Sequence, residues 1–294
     1  MSASGPREES LRLKSFKARP HHLIPVIFVS LLSTGLAAAL RLAYGTSAST
    51  VWIFPQEGLG FLANALYLVL AVGMAGTLLY FLAKSGYGRA LTALVTLAYS
   101  AVGFILASVY LPVAFWALGL FGSEFYLLSL AIATSMSVAS VVYGGVFGSK
   151  RLRLVTMLLA GSSLGALLGF SSTTLTAFTV LLALAAYDVF AVFKGPLGKM
   201  VSIRGDRAVK GLMMPFGDLS IGLGDLVFYS MLISHIYLAL GVTPFLTGML
   251  GLLLGAYLTF KQLEKRTIFP GLPIALTLAM GLALATYHLL NLLT

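Results

Sequence analysis

From residue 22 onward the chain is a succession of long apolar runs broken by short polar segments. A membrane-crossing helix needs about 20 consecutive, mostly apolar residues. Nine runs meet that need, at residues 22–40, 59–82, 90–110, 125–147, 152–170, 174–193, 219–238, 243–260 and 270–292. They predict an all-α membrane protein of nine transmembrane helices. The runs are continuous and lack the short alternating strands of a membrane barrel. Residues 111–122 are apolar as well, and either extend the third helix or lie at the interface. The polar, basic lead of residues 1–20 is too long for the n-region of a signal peptide, and the apolar run behind it is too long for an h-region. The first run therefore reads as a signal anchor behind a cytoplasmic tail, residues 1–20. Residues 21–294 then form one nine-helix domain, with helices 1–6 joined to helices 7–9 by the longest loop, 194–218.

Composition agrees. Hydrophobic residues make up 59% and charged residues 10%, with a mean hydropathy of +0.98. A soluble domain carries roughly 25% charged residues, so a soluble fold is excluded. The chain has no cysteine, which removes disulfides, thiol nucleophiles and cysteine-ligated metal centres. A net charge of +10 would point to nucleic acid in a soluble protein, but its distribution points elsewhere. Arg7, Arg12, Lys14, Lys17 and Arg19 precede the first run; Lys84 and Arg89 follow the second. Lys150, Arg151 and Arg153 follow the fourth, and Lys194, Lys199, Arg204, Arg207 and Lys210 the sixth. Lys261, Lys265 and Arg266 follow the eighth. With nine crossings all of these fall on one side, and only Arg41 falls on the other. The positive-inside rule makes the crowded side cytoplasmic. The N-terminus is then cytoplasmic and the C-terminus outside, in a multi-pass protein of the cell membrane. The partner that the charge implies is the lipid bilayer, with no nucleic acid.

An ionisable group in the hydrocarbon core is costly and marks a functional site by default. Glu8, Glu9, Asp206 and Glu264 lie in cytoplasmic segments, Glu57 and Glu124 flank helices on the outside, and Asp218 sits at the mouth of the seventh. Asp188 and Asp225 alone lie well within runs. Each is six residues from a cytoplasmic end, or roughly 9 Å at 1.5 Å per residue. The sixth and seventh helices are consecutive and antiparallel, so the two carboxyls can face each other at one level. Close carboxyls cannot both ionise cheaply; they share a proton and titrate as a unit. Aspartic proteases use that arrangement to activate water and polarise a carbonyl. The same depths also suit two unrelated acids, each with its own partner, or acids lining an ion pathway.

The neighbours sharpen the first reading. Gly222, Leu223 and Gly224 lead into Asp225, and glycine weakens a helix and admits close backbone approach; plain helix packing is the competing explanation. Tyr187 precedes Asp188 and points off its face, lining the cavity or packing. Pro270, Gly271 and Leu272 open the ninth helix at the same end. Proline at a first helical position is ordinary; the alternative is an unwound segment rich in free backbone donors beside the acids.

Tyr187-Asp188-Val189-Phe190-Ala191-Val192 leading to Lys194-Gly195-Pro196-Leu197, Gly222-Leu223-Gly224-Asp225-Leu226-Val227-Phe228-Tyr229-Ser230, and Pro270-Gly271-Leu272-Pro273-Ile274 together resemble the presenilin and signal peptide peptidase family of nine-span intramembrane aspartyl proteases. The resemblance implies that Asp188 and Asp225 are a catalytic pair, and that Pro270, Gly271 and Leu272 position the acids and the substrate. It implies transmembrane-helix protein substrates, no cofactor, no metal and no obligate partner subunit; homo-oligomerisation is left open. Gly271 departs from the family pattern, which has alanine there. The short loop 194–218 departs from presenilin's long self-cleaved loop and implies an intact single chain. The charge bias matches the presenilin orientation, which signal peptide peptidases invert, and the compact chain looks like the archaeal members.

Other constellations are weaker. Gly161-Ser162-Ser163-Leu164-Gly165 fits a serine-nucleophile pattern, but His235 and His288 fall at other depths than Ser163, and Gly161 with Gly165 reads as a packing face. No His-Glu-x-x-His occurs, His21 and His22 read as interfacial, and nothing demands a metal. The rival to a protease is a transporter or cation leak with the two acids as ion ligands.

Overall fold

The computed structural model describes residues 17–45, 51–143, 150–195, 213–266 and 268–293. They form nine α-helices and one small hairpin: α1 (Ile24–Tyr44, entered through a 3-10 turn, Pro20–Leu23), α2 (Gly60–Lys84), α3 (Gly88–Ala117), α4 (Ser123–Tyr143), α5 (Lys150–Phe170), α6 (Thr174–Phe193), β1 (Met213–Phe216), β2 (Leu219–Gly222), α7 (Leu223–Leu240), α8 (Val242–Leu263) and α9 (Leu272–Leu293). Seven helices are long and apolar enough to cross a membrane. Among the residues described, the apolar parts of α4 and α5 are shorter, Ser123–Val138 and Leu154–Phe170.

The nine helices fall where the apolar runs predict them, with corrections at several ends. The third runs on to Ala117, so most of the ambiguous stretch 111–122 extends it. The fourth is helical to Tyr143; residues 144–147, expected to complete it, lie outside the described residues. The seventh does not begin at Leu219. Residues Leu219–Gly222 form a strand paired antiparallel with Met213–Phe216, Met213 opposite Gly222 and Phe216 opposite Leu219. A two-residue turn joins them, Gly217 carrying φ +60° and Asp218 none of that sign, the pattern of a II′ hairpin turn. The ninth helix starts at Leu272, so Pro270 and Gly271 precede it and proline does not occupy its first position. His22, expected at the interface, is buried at 3% exposure, its Nδ1 accepting the Arg19 N–H at 3.1 Å. At the same end the Ala18 N–H donates to Glu264 Oε1 at 2.8 Å.

The core centres on α7. Every residue from Leu226 to Ile236 is buried, as befits a helix apolar all round. Glycines on α5 let it lie directly on α7. A Cβ at Gly161 would come 2.9 Å from Leu226 Cβ, and one at Gly165 would meet Val227 O at 2.5 Å and Met231 N at 2.8 Å. Contacts advance in step along both helices, so α5 and α7 run parallel. On the other flank Ser33 Oγ of α1 donates to the Ser230 carbonyl at 3.3 Å and Arg41 to that of Leu238, so α1 is parallel to α7 as well. Arg41 thereby satisfies a carbonyl in the last turn of α7. Gly251 and Gly255 of α8 press on Ala279 and Ala275 of α9. Outside this block α2 buries only Asn64, Ala65 and Ala83.

Gly165→Val forces a side chain into the backbone of α7, and overpacking of this kind costs about 1–3 kcal/mol. At Gly103 a Cβ would meet nothing within 4 Å. We expect Gly165→Val to lower the thermal midpoint of the purified protein in detergent by several degrees and Gly103→Val to leave it unchanged. Equal midpoints for the two variants would contradict the packing described.

Candidate active site

Three chain segments meet at one end of the bundle: the last turns of α6, the start of α7 and the start of α9. Thr173 caps α6, its hydroxyl accepting the Thr176 N–H at 3.3 Å, and Asp188 follows on the far part of the same helix. Asp225 is the third residue of α7, behind Gly222 in an extended cap conformation (φ −66°, ψ 142°). Its carboxyl lies against Gly222, where a Cβ would stand 3.5 Å from Oδ2, the place taken by the returning half of a capping box. Taken alone, that makes Asp225 a capping acid.

The loop before α9 changes this. Leu272 is the first residue of α9, and its N–H is one that no carbonyl of its own helix can satisfy. It donates to Asp188 Oδ2 at 3.1 Å, with the Gly271 N–H also interacting with Asp188. On its other side Gly271 lies against Asp225: a Cβ there would stand 2.7 Å from Oδ2 and 2.8 Å from Oδ1 and Cγ. Gly271 and Leu272 thus touch both acids, which are each half-buried and within reach of each other's charge. Among the described residues no lysine or arginine acts on either acid. The pair is therefore not a structural salt bridge. The N-termini of two helices, α7 and α9, face it, and helix N-termini favour negative charge.

The other sequence candidates divide. Leu223 is partly buried and packs against the core. Among the described residues Gly222 and Gly224 do not pack a neighbouring helix: a Cβ at either would meet Asp225 at 3.5 Å or Phe228 at 3.8 Å. Tyr187 lies toward α2, where a Cβ at Gly73 would come 3.3 Å from its hydroxyl, with its ring tilted against Phe190 at 6.4 Å. Pro270 is buried. The serine pattern is a packing face, since both nitrogens of His235 are engaged, with Gly169 O at 3.0 Å and Thr174 Oγ1 at 3.2 Å. Among the described residues no group of three or more His, Asp or Glu could hold a metal.

Two parts of the site escape a reading by hydropathy. One is the hairpin, whose signal was Gly217 between two four-residue apolar runs. The other is Tyr229, 2% exposed, whose hydroxyl donates to the Gly271 carbonyl at 2.8 Å. Its signal was the spacing of four from Asp225, which puts the two on one helix face, and the need of a buried tyrosine for a partner.

No protein family's sequence profile matches the chain. Its fold is that of solved presenilin family intramembrane aspartate proteases. One such structure, in space group C222, superposes with a TM-score of 0.62 at 20% identity over 90% of this chain and 97% of the other. Another, in space group P2, gives 0.60 at 18% identity over 97% and 100%. By sequence, Presenilin-B of Dictyostelium discoideum is 36% identical over 115 residues, covering 36% of this chain and 24% of that protein. The chain thus spans about a quarter of the length of the curated relative it matches.

Proposed function

We propose that this chain is an intramembrane aspartyl endopeptidase that hydrolyses peptide bonds within the transmembrane helices of other membrane proteins. The observation that carries the proposal is the convergence of Asp188 and Asp225 on residues 270–272. The fold shared with presenilin family proteases supports it. One aspartate, ionised, takes a proton from a water as that water attacks the scissile carbonyl. The other, protonated, donates a hydrogen bond to the carbonyl oxygen. The tetrahedral intermediate collapses as a proton passes to the leaving nitrogen. The proton taken from water is the one passed to the leaving nitrogen, so both acids return to their starting states and one shared proton serves the whole step.

A cation pathway would use the same acids differently. A cation wants oxygen ligands, whereas here one acid already accepts a backbone N–H and the amide ends of two helices face the pair. That field suits an anion or an oxyanion, which favours hydrolysis over ion conduction.

The charge bias of the loops gives the proposed orientation: N-terminus and acids toward the cytoplasm, C-terminus outside, in the cell membrane. A substrate helix hides its carbonyls in its own hydrogen bonds and cannot leave them unpaired in lipid. It must therefore be unwound and offered other partners. The backbone of Leu219–Gly222 and of residues 270–272 lies beside the acids and supplies them by strand addition. No cofactor, metal or partner subunit enters the reaction as proposed.

Purified protein with a tagged single-span substrate tests the proposal. Wild type is expected to cleave, Asp188→Asn and Asp225→Asn each to abolish cleavage, and the double variant to be no worse than either, because both acids serve one step. Substantial activity left in either single variant would reject the pair.

Cleavage is expected near the cytoplasmic end of the substrate, about six residues inside its boundary, level with Asp188, which lies six residues before Lys194 at the end of α6, or roughly 9 Å. A glycine at the cut should accelerate it, since glycine weakens a helix interior by about 1 kcal/mol. Mass spectrometry of products from substrates with glycine at successive depths checks both points. Cuts in the outer half of the helix, or indifference to the glycine's position, would defeat this model of access.

A further inference from the structure

Gly271 and Leu272 share one peptide unit, and both of its polar ends are held. The N–H, on Leu272, donates to Asp188 Oδ2 at 3.1 Å. The carbonyl, on Gly271, accepts the Tyr229 hydroxyl at 2.8 Å. In a trans peptide these groups point in opposite directions. Tyr229, the peptide plane and Asp188 therefore form one line of hydrogen bonds from α7 to α6. The peptide lies just outside α9, where no helical ladder restrains it. Rotating its plane would turn the N–H away from Asp188 and the carbonyl away from the Tyr229 hydroxyl, breaking both bonds together.

We propose that Tyr229 is a positioning residue of the site: its hydroxyl sets the plane of the 271–272 peptide, and through that plane the place of the Asp188 carboxyl relative to Asp225. This rests on the aspartyl protease reading for its effect on rate, but not for its effect on structure. Tyr229 sits one helical turn from Asp225, so the residue that orients the peptide is rigidly linked to the second acid. Its ring is packed in the core of the bundle, which leaves the hydroxyl little freedom to follow a moving strap. In a low-dielectric site such a chain of bonds also polarises itself, each bond strengthening the next. Tyr229 touches neither water nor substrate in this account and acts only through the peptide.

Tyr229→Phe keeps the ring and removes only the hydroxyl, and two readouts are compared with wild type. In the first, hydrogen–deuterium exchange without substrate, the Leu272 amide is expected to exchange at least about tenfold faster, with amides of the α5–α7 contact unchanged. In the second, kcat is expected to fall about tenfold or more, since a misplacement of ~1 Å can cost 10²-fold. KM should change less than about threefold, because the substrate's own contacts are untouched. The acid limb of the pH–rate profile should also be displaced, because Asp188 has lost a fixed donor. A variant with wild-type exchange at Leu272 overturns the proposal whatever the enzyme does. Faster exchange with unchanged kcat overturns it as well, leaving Tyr229 a packing residue. If wild type itself cleaves nothing, the protease reading fails, while the exchange result still decides whether Tyr229 orients the peptide.

Discussion

The hydrogen bond from the Leu272 N–H to Asp188 is the contact on which the site depends. It links α6 to α9 and sets where the loop before α9 can lie. A carboxyl in an apolar bundle is costly unless something answers it. Here the answer is the free amide end of a helix that could not satisfy that amide by itself. With α9 starting at Leu272, that amide is among the first of its helix, which no carbonyl of α9 can reach, and it is free for Asp188. Once the loop is so placed, Gly271 lies flat against Asp225 with no room for a side chain. A single short segment thereby gathers acids that stand on two different helices.

The rest of the fold makes that segment hold still. α7 is buried along most of its length and is gripped by α5 through Gly161 and Gly165, and by α1 through Ser33 and Arg41. The α8–α9 pair is locked in the same way, by glycines facing alanines. Backbones in contact are stiff, and a site that needs two groups in register to a fraction of an ångström needs such a frame. Stiffness is concentrated there. α2, which buries few residues, comes against Tyr187 at Gly73.

Much of this is legible in the sequence, for physical reasons that also mark the limit. Transfer free energy accumulates over about 20 residues, so the nine helices stand out and their ends follow within a few positions. Asp188 and Asp225 stand out because charge in such runs is rare. The glycines of the serine-like pattern read correctly as packing, because their spacing fits a helix face. What hydropathy cannot carry is non-local pairing. Leu219, Ser220, Ile221 and Gly222 are apolar enough to continue a helix, and only a partner strand makes them extended. That shift moves Asp225 from mid-turn to the third residue of α7. In the same way, nothing local says that Arg41 will reach Leu238, or that the Tyr229 hydroxyl will find a carbonyl beyond an intervening helix.

The central claim is that both acids act on one reacting centre, and binding tests it without turnover. A substrate-like peptide with a hydroxyl-bearing carbon in place of the scissile carbonyl mimics the tetrahedral intermediate, and such mimics bind at least about 10²-fold tighter than substrates. The measurement is its affinity, set against the same peptide without the hydroxyl, for wild type, Asp188→Asn and Asp225→Asn. The account predicts a large advantage for the hydroxyl in wild type and its loss in both variants. An advantage that survives in either variant would mean that the two acids do not share a site.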